Sequence, residues 1–228
     1  YTLDRRVRTF GIQNDGDYQA LNVNEYKPGF FEFDLKEWNK VTGHIRLAVP
    51  GYHNIYNALA MCAVCRFVGL TVEQCADAAL NFKGAGRRFE VYGECNGALV
   101  VDDYAHHPTE IAATLHAAAN YPHKTLWCVF QPHTYTRTKA FMKDFAKALS
   151  LADKVVLADI YAARETDTLG ISSETLQTEI RALGHECYYF PSFDEIENFL
   201  LENCINGDLL ITMGAGDVVK IGENLLGK

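Results

Sequence analysis

Acidic, phenolic and imidazole side chains are concentrated in residues 102–110, which read DDYAHHPTE. The segment carries the carboxylate of Asp103, the phenol of Tyr104 and the imidazole of His106. The apolar run before it, residues 98–101, predicts a short buried strand. Exposed polar tips on a loop that follows a buried strand are typical of functional sites. The pattern therefore indicates a site rather than a solvated turn.

A metal centre is one interpretation of this segment, because His and Asp are both metal ligands. The adjacent side chains of His106 and His107 do not easily converge on one ion, and no HxH or HxxxH arrangement supports them. We therefore expect this chain to supply no metal ligands.

A second polar segment, residues 130–139, reads FQPHTYTRTK and follows the apolar run of residues 126–130. Its cationic groups, among them His133 and Arg137, are expected at the beginning of a helix over residues 138–151. The free N–H groups of a helix N-terminus already favour anions. The segment therefore indicates an anion site, with a structural turn as the alternative.

Asn54 and Asn57 lie three residues apart where a helix is expected to begin, directly after Pro50 and Gly51. This spacing allows both amides to face the same way. A side-chain amide offers a donor and an acceptor together, which suits the edge of an adenine ring. Capping of the helix explains one asparagine and not two, so both interpretations stay open.

Two further segments are weaker signals. Arg87 and Arg88 lie in a glycine-rich stretch, where adjacent guanidinium groups either fork onto phosphate oxygens or form a solvated basic turn. Residues 214–217, GAGD, suit an anion at a helix start or close packing of a strand against a helix. The pattern GxxxxGK(S/T) is absent from the sequence, so this chain offers no P-loop for β- and γ-phosphates.

The elements that position these residues change in type along the chain. The first 50 or so residues are β-rich and include a predicted hairpin between residues 31–35 and 44–49, with residues 38–43 as its turn. A helix is predicted over residues 54–68, and a second begins at Thr71, which forms a capping-box pattern with the glutamine three residues later.

Beyond about residue 95, strands and helices alternate. The predicted strands are residues 98–101, 126–130, 155–158, 187–190 and 209–212. Short apolar strands separated by helices predict βαβ units, and hence an α/β fold with a mainly parallel sheet covered on both faces. Ligands collect at the carboxyl ends of the strands in such sheets. Residues 102–104, 131–133 and 214–217 are all expected at this edge.

The bulk composition narrows the classes of partner. The 228 residues carry a formal net charge of −8, which disfavours nucleic acid because its phosphate backbone would be repelled. No apolar run approaches the roughly 18 to 20 residues of a membrane span. Seven cysteines without framework spacing are typical of a reducing compartment, so a cytoplasmic protein is expected. The one CxxC, Cys62 to Cys65, lies in an apolar helical pattern and is expected to pack in a core.

The polar segments, taken together and in this order, resemble the Mur ligase family over nearly the whole chain. The combination of DDYAHHPTE with the later FQPH is similar to the branch of the family that adds L-alanine. The resemblance implies that residues 1–83 are the C-terminal part of an α/β, ATP-binding central domain, and that residues 84–228 are a C-terminal Rossmann-like domain. It also implies that a UDP-binding domain, the P-loop and the Mg²⁺ ligands lie upstream, so that this chain alone is expected to be inactive.

The reaction that the resemblance implies is ATP-dependent ligation of L-alanine to UDP-N-acetylmuramate in peptidoglycan biosynthesis, with Mg²⁺. The muramoyl carboxylate takes the γ-phosphate of ATP to give an acyl phosphate, and the amine of L-alanine then displaces phosphate. Two alternatives remain open: a murein tripeptide ligase of cell-wall recycling, and a nucleotide-binding module without catalysis.

The resemblance also implies roles for individual residues. Asn54 and Asn57 match positions that contact adenine, Arg88 one at the ATP phosphates, and Asp103 one at the ribose. The positions lining the amino-acid and muramoyl end of the cleft are matched by Tyr104, His106, His133 and Arg137. Of these, Arg137 is expected to hold the alanine carboxylate, and His106 to orient or deprotonate its amine. Many members of the family carry Arg where this chain has Thr134, so no contact is assigned there.

Overall fold

The computed structural model describes residues 7–167 and 169–228. The chain divides into two compact units, Tyr1–Gly84 and Ala85–Lys228. The first unit contains β1 (Phe10–Gly11), β2 (Tyr18–Lys27), β3 (Phe30–Glu37), β4 (Lys40–Arg46), α1 (His53–Phe67) and α2 (Val72–Asn81). Its four strands form one sheet in the order β1-β2-β3-β4, in which β2, β3 and β4 are antiparallel.

The predicted hairpin is the pair β3 and β4, with Phe33 opposite Ile45. Its turn is shorter than predicted, because Glu37 already pairs with Lys40. The prediction of a turn over residues 38–43 was therefore wrong. Trp38, at φ +56°, takes the left-handed conformation that reverses the chain in so few residues.

Alternate residues of this sheet pack under α1 and α2 in one hydrophobic core. Cys62 is fully buried in that core, and burial raises the pKa of its thiol to about 12. The expectation that the CxxC is a packing element is confirmed for Cys62. The capping box at α2 is also confirmed, since Thr71 accepts from the N–H of Gln74 at 3.2 Å and donates its own N–H to the Gln74 side chain at 2.8 Å.

The second unit alternates strands and helices, as predicted. It contains β5 (Glu90–Cys95), β6 (Ala98–Asp103), α3 (Pro108–Ala118), β7 (Leu126–Phe130), α4 (Tyr135–Ala140), α5 (Met142–Leu149), β8 (Lys154–Leu157), α6 (Ser173–Ala182), β9 (Glu186–Tyr189), α7 (Phe193–Asn203), β10 (Leu209–Met213) and α8 (Val219–Leu225). These strands form one sheet in the order β5-β6-β10-β7-β8-β9. All neighbours are parallel except β5 and β6. The α/β fold with a mainly parallel sheet is confirmed.

Helices cover both faces of this sheet. One core cluster joins the strands to α3, α5 and α6, and a second joins their other side to α7 and α8. Burial on both faces explains why β7 and β10 are apolar at nearly every position. Within the described residues, no helix is long and apolar enough to cross a bilayer.

The helix predicted over residues 138–151 was wrong in its start and its continuity. Helical structure begins at Tyr135 and is interrupted at Phe141, which has non-helical backbone angles of φ −113° and ψ 19°. The Phe141 ring packs edge-on against His107, with ring centroids 4.9 Å apart, and lies 6.4 Å from the ring of Phe145. Tertiary packing at this residue thus accompanies the break between α4 and α5.

Candidate active site

The candidate site lies at the carboxyl ends of three adjacent strands of the second unit. Strand β10 is inserted between β6 and β7, so the loops that follow β6 and β7 approach from either side of it. The helix after β6 covers one face of the sheet and the helix after β10 covers the other. Connections that leave neighbouring strands on opposite faces open a crevice at the carboxyl edge, where ligands of such sheets bind.

Aromatic rings from the two loops form a continuous series. The ring centroids of Tyr104 and His106 are 5.4 Å apart, and those of His106 and His133 are 6.1 Å apart. On the far side, His133 is stacked on Tyr161, with centroids 5.6 Å apart and planes 22° from parallel. Tyr104, His106 and His133, which come from two separate sequence segments, therefore lie together.

The orientation of His106 is fixed by its own loop and by the first turn of α3. Its Nδ1 lies 3.0 Å from the carbonyl oxygen of Tyr104 and 3.4 Å from a carboxylate oxygen of Glu110. Glu110 also accepts the backbone N–H of His106 at 3.1 Å. Because both oxygens are acceptors, Nδ1 carries the hydrogen, and in the neutral ring the lone pair is left on Nε2.

Arg137 lies beside His133, one helical turn further along the chain. Its Nη1 is 3.5 Å from Nδ1 of His133, and both side chains are half-buried. Burial lowers the pKa of His133, and the positive charge of Arg137 and the proximity of His106 lower it further. The arrangement offers one cation, which suits an anionic group of a ligand, beside an imidazole whose pKa is lowered.

Thr134, between these two residues in sequence, has a strained backbone. Its φ of +66° is rare for a β-branched residue. Two hydrogen bonds hold it there: its N–H donates to the carbonyl of Tyr161 at 2.9 Å, and the hydroxyl of Thr138 donates to its carbonyl at 2.7 Å. Strain of this kind is typical of functional loops whose surroundings fix the geometry.

The two adjacent arginines have different environments. Arg87 donates to the buried carboxylate of Asp102 at 2.8 Å and to the carbonyls of Gly214 and Gly216 at 2.8 and 3.2 Å. It is an internal ion-pair residue, so the interpretation of both arginines as a phosphate fork was wrong for Arg87. Arg88 is exposed, with its guanidinium carbon 5.7 Å from the ring centroid of Tyr104.

Asp103 is a buried residue of the site and accepts hydrogen bonds from two backbone N–H groups. Only 4% of the residue is exposed, and burial raises the pKa of its carboxyl group. One oxygen accepts the N–H of Phe89 and the other the N–H of Ala105, both at 2.8 Å. The side chain of Thr114 also hydrogen-bonds to this carboxyl group, so three of the roughly four hydrogen bonds that a carboxylate accepts come from the protein. The contact of Asp103 with a ribose stays a prediction.

The GAGD turn after β10 is shaped by close packing. A Cβ on Gly216 would overlap the side-chain oxygen of Gln131, and one on Gly214 would lie 2.8 Å from the Gln131 carbonyl. That side-chain oxygen accepts the N–H of Val218 at 3.2 Å, and the Gln131 amide donates to Asp217 at 3.0 Å. Of the two interpretations of this turn, the contacts favour packing.

The asparagine pair lies in the first unit, at the beginning of α1. The helix starts at His53 with Tyr52 as its cap, so capping by Asn54 was a wrong alternative. Asn54 donates to the carbonyl of Pro50 at 2.6 Å and accepts from the amide of Asn57 at 2.8 Å. The two amides are therefore hydrogen-bonded to each other, and contact with adenine stays a prediction.

Sequence reasoning missed Tyr161 and Glu165, which follow β8. The available signal was their position, since they come after a buried strand just as the recognised segments do. Among residues 7–167 and 169–228, no three His, Cys, Asp or Glu side chains are grouped so that they could hold a metal ion.

Comparisons with known proteins find similarity to one family of ligases. Residues 87–216 match the family model described as Mur ligase, glutamate ligase domain. The chain is 62% identical over 224 residues to the UDP-N-acetylmuramate–L-alanine ligase of Lachnospira eligens, an alignment that covers 98% of this chain and 49% of that protein.

Two solved structures are similar over nearly the whole chain. The UDP-N-acetylmuramate–alanine ligase of Thermotoga maritima superposes with a TM-score of 0.79 at 27% identity, covering 96% of this chain and 47% of that one. A murein peptide ligase of Psychrobacter arcticus gives a TM-score of 0.71 at 25% identity, covering 96% and 45%. The chain spans about half the length of the curated relatives it matches. Since the family model covers more than half of its residues, the chain belongs to the Mur ligase family.

Proposed function

We propose that the gene product containing this chain ligates L-alanine to UDP-N-acetylmuramate with ATP, in peptidoglycan biosynthesis. The observation that carries the proposal is the convergence of His106, His133 and Arg137 at the carboxyl edge of the sheet. The relatives that match at 58% and 62% identity bear the name of this ligase, which favours L-alanine over other amine substrates.

The proposed chemistry has two steps. The muramoyl carboxylate attacks the γ-phosphate of ATP, forming an acyl phosphate and releasing ADP. The amine of L-alanine then attacks the acyl carbon, and inorganic phosphate leaves from the tetrahedral intermediate. Such reactions depend chiefly on positioning and on neutralising charge.

In the second step Arg137 binds the alanine carboxylate and His106 takes a proton from the amine. A guanidinium group suits this role because it can form two parallel hydrogen bonds with a carboxylate. With the hydrogen on Nδ1, the lone pair on Nε2 of His106 is the acceptor that proton removal needs. His133, whose pKa is lowered, stays uncharged beside Arg137 and does not compete for the carboxylate. Tyr104 lines the same end of the cleft.

In the first unit, we propose that Asn54 and Asn57 contact adenine. In the second unit, we propose that Arg88 contacts phosphate and Asp103 contacts ribose. We propose that residues 1–83, in the first unit, belong to the C-terminal part of an ATP-binding central domain and that residues 84–228 form a C-terminal Rossmann-like domain. Mg²⁺ is proposed as the cation that neutralises charge on the ATP phosphates, and among the described residues no three His, Cys, Asp or Glu side chains are grouped to hold it. Cytoplasmic ATP as a substrate makes the cytoplasm the proposed location.

The test is phosphate release by the complete gene product with ATP, Mg²⁺ and UDP-N-acetylmuramate, comparing L-alanine with the murein tripeptide. Release that depends on L-alanine supports the proposal. Release that depends on the tripeptide moves the protein to cell-wall recycling, which is the alternative left open by the sequence. No release with either amine would leave a nucleotide-binding module, and the proposal would be wrong. The 228-residue chain alone is the control, and is expected to release no phosphate above background.

A further inference from the structure

The loop that follows β8 contacts the loop that follows β7 at two points. At the first, Tyr161 stacks on His133, and its backbone forms an isolated parallel bridge with the same residue. In that bridge the Tyr161 N–H donates to the carbonyl of Pro132 at 2.8 Å, and the Tyr161 carbonyl accepts the N–H of Thr134 at 2.9 Å. At the second, Glu165 accepts the backbone N–H of Thr136 at 2.9 Å and also its hydroxyl hydrogen.

These contacts enclose the residues that the proposed function uses. Thr134 directly follows His133 and Thr136 directly precedes Arg137, so residues 161–165 hold the backbone next to both functional side chains. The left-handed φ of Thr134 needs such support, because an isolated β-branched residue does not adopt it. The Glu165 contact satisfies an N–H at the first turn of α4, which has no side-chain cap of its own.

The Tyr161 ring also packs against the glycine turn that follows β10. A Cβ on Gly216 would lie 2.9 Å from Cγ of Tyr161, so the ring packs directly on the glycine turn after β10. Tyr161 thus lies between that turn and His133. Because 39% of the residue is exposed, Tyr161 is not part of the hydrophobic core, and core packing does not explain a tyrosine at this position.

We propose that Tyr161 and Glu165 are positioning residues that hold His133 and Arg137 in place to receive the amino-acid substrate. The inference rests on the proposed function for the identity of that substrate. The Tyr161 ring sets the orientation of His133, and the Glu165 carboxylate sets the beginning of α4 and with it the direction of Arg137. Neither residue is required to touch the substrate.

The first experiment measures steady-state kinetics of the complete gene product with Tyr161→Ala and Tyr161→Phe. Misplacing a binding group by a fraction of an ångström weakens substrate positioning, so Tyr161→Ala is expected to raise KM for L-alanine about tenfold while KM for ATP stays within about twofold. Tyr161→Phe keeps the stacked ring and is the matched control, with kinetics expected within about twofold of the parent. If the phenylalanine variant is as impaired as the alanine variant, the hydroxyl group rather than the stack is needed, and the inference is overturned.

A second variant pair covers the case in which Tyr161→Ala does not fold. Glu165→Ala removes both bonds to Thr136 and is expected to raise KM for L-alanine in the same way, whereas Glu165→Gln keeps one side-chain acceptor and recovers part of the loss. Unchanged KM in both alanine variants would contradict a positioning role.

A readout that does not depend on turnover separates this inference from the proposed function. Charged or titratable groups face His133 from three elements: Arg137 on α4, His106 after β6 and Glu165 after β8. All three remain in Tyr161→Ala, which removes only the covering ring, so the pKa of His133 should rise towards its ordinary value, as followed by proton NMR. An unchanged pKa would overturn the stacking role even if the ligase activity is established. If the pKa of His133 rises in Tyr161→Ala and the parent protein releases no phosphate with either amine, the stack is upheld and the proposed function is refuted.

Discussion

Nη1 of Arg137 lies 3.5 Å from Nδ1 of His133, four residues earlier in the chain. An N–H of the guanidinium group can donate to this nitrogen only while the imidazole is neutral and its hydrogen is on Nε2. The lowered pKa of His133 is consistent with that state. The pair therefore presents one fixed positive charge rather than two that repel each other.

Replacing Arg137 should change the titration of His133. Arg137→Ala removes the second-largest cause of the lowered pKa, so the pKa of His133 is expected to rise, while Arg137→Lys keeps the charge and should leave it nearer to that of the parent. Burial, the largest cause, remains in both variants. Proton NMR titration of the histidine ring measures the effect. An equal pKa in the alanine and lysine variants would show that the charge of Arg137 does not act on His133.

Arg87 and Arg88 should differ sharply in their contribution to stability. Arg87→Ala leaves Asp102, which is fully buried, without its cationic partner, and loss of one partner of a buried pair costs about 3 kcal/mol. Arg88→Ala removes an exposed side chain and is expected to change stability by no more than about 0.5 kcal/mol. Urea unfolding followed by the fluorescence of buried Trp127 measures both. Equal destabilisation by the two variants would refute the assigned ion pair.

Gly216 should not tolerate alanine, although its φ is outside the left-handed region. The added methyl group would overlap the Gln131 side chain and press on the Tyr161 ring, so the variant is expected to lose about 2 kcal/mol. Gly86→Ala is the matched control, because its Cβ would meet nothing closer than 3.7 Å. The same unfolding assay compares them. A Gly216→Ala variant as stable as Gly86→Ala would mean that the turn relaxes without cost.

The stability of the first unit should depend on pH through His44. Its Nδ1 lies 2.9 Å from Asp34 and its Nε2 lies 3.4 Å from Glu32, and these carboxylates raise the pKa of His44. A raised pKa means that the stabilisation is complete below the unfolded value of about 6.5 and is lost as pH rises through the folded value. Because half of the side chain is exposed, the effect should be only about 0.5 kcal/mol.

Unfolding of the parent and of His44→Gln, measured at about pH 5.5 and about pH 8.5, isolates this contribution. The difference between the two proteins is expected to shrink at the higher pH. A difference that grows with pH would have the wrong sign for a raised pKa.

The sequence predicted the α/β class and the edge of the sheet that holds the polar segments, because strand period and strand order along the chain are local signals. It did not reveal that β10 lies between β6 and β7, since strand neighbours in a sheet are a tertiary property. Strands β6 and β7 are therefore two strand spacings apart, which is about 10 Å. The loops that follow them bring the ring centroids of His106 and His133 to 6.1 Å from each other.

Two other errors have different causes. Strand β5 was missed although Asn96-Gly97, with φ of +51° and +77°, is a local hairpin signal that the sequence displays. The break at Phe141 had no local signal, because Phe141 packs against His107 from another element. Arg87 and Arg88 look equivalent in sequence, and only the fold gives one of them a buried partner.

The central claim is that Arg137 binds the carboxylate of the amino-acid substrate, and KM for L-alanine measures it most directly. In the complete gene product, Arg137→Ala is expected to raise KM for L-alanine by about 100-fold, because a charge-assisted bidentate contact is worth about 3 kcal/mol, while KM for ATP is unchanged. Lys143→Ala, which removes an exposed cation from α5, is the control and should match the parent. An unchanged KM for L-alanine in Arg137→Ala, or an equal rise in both variants, would contradict the account.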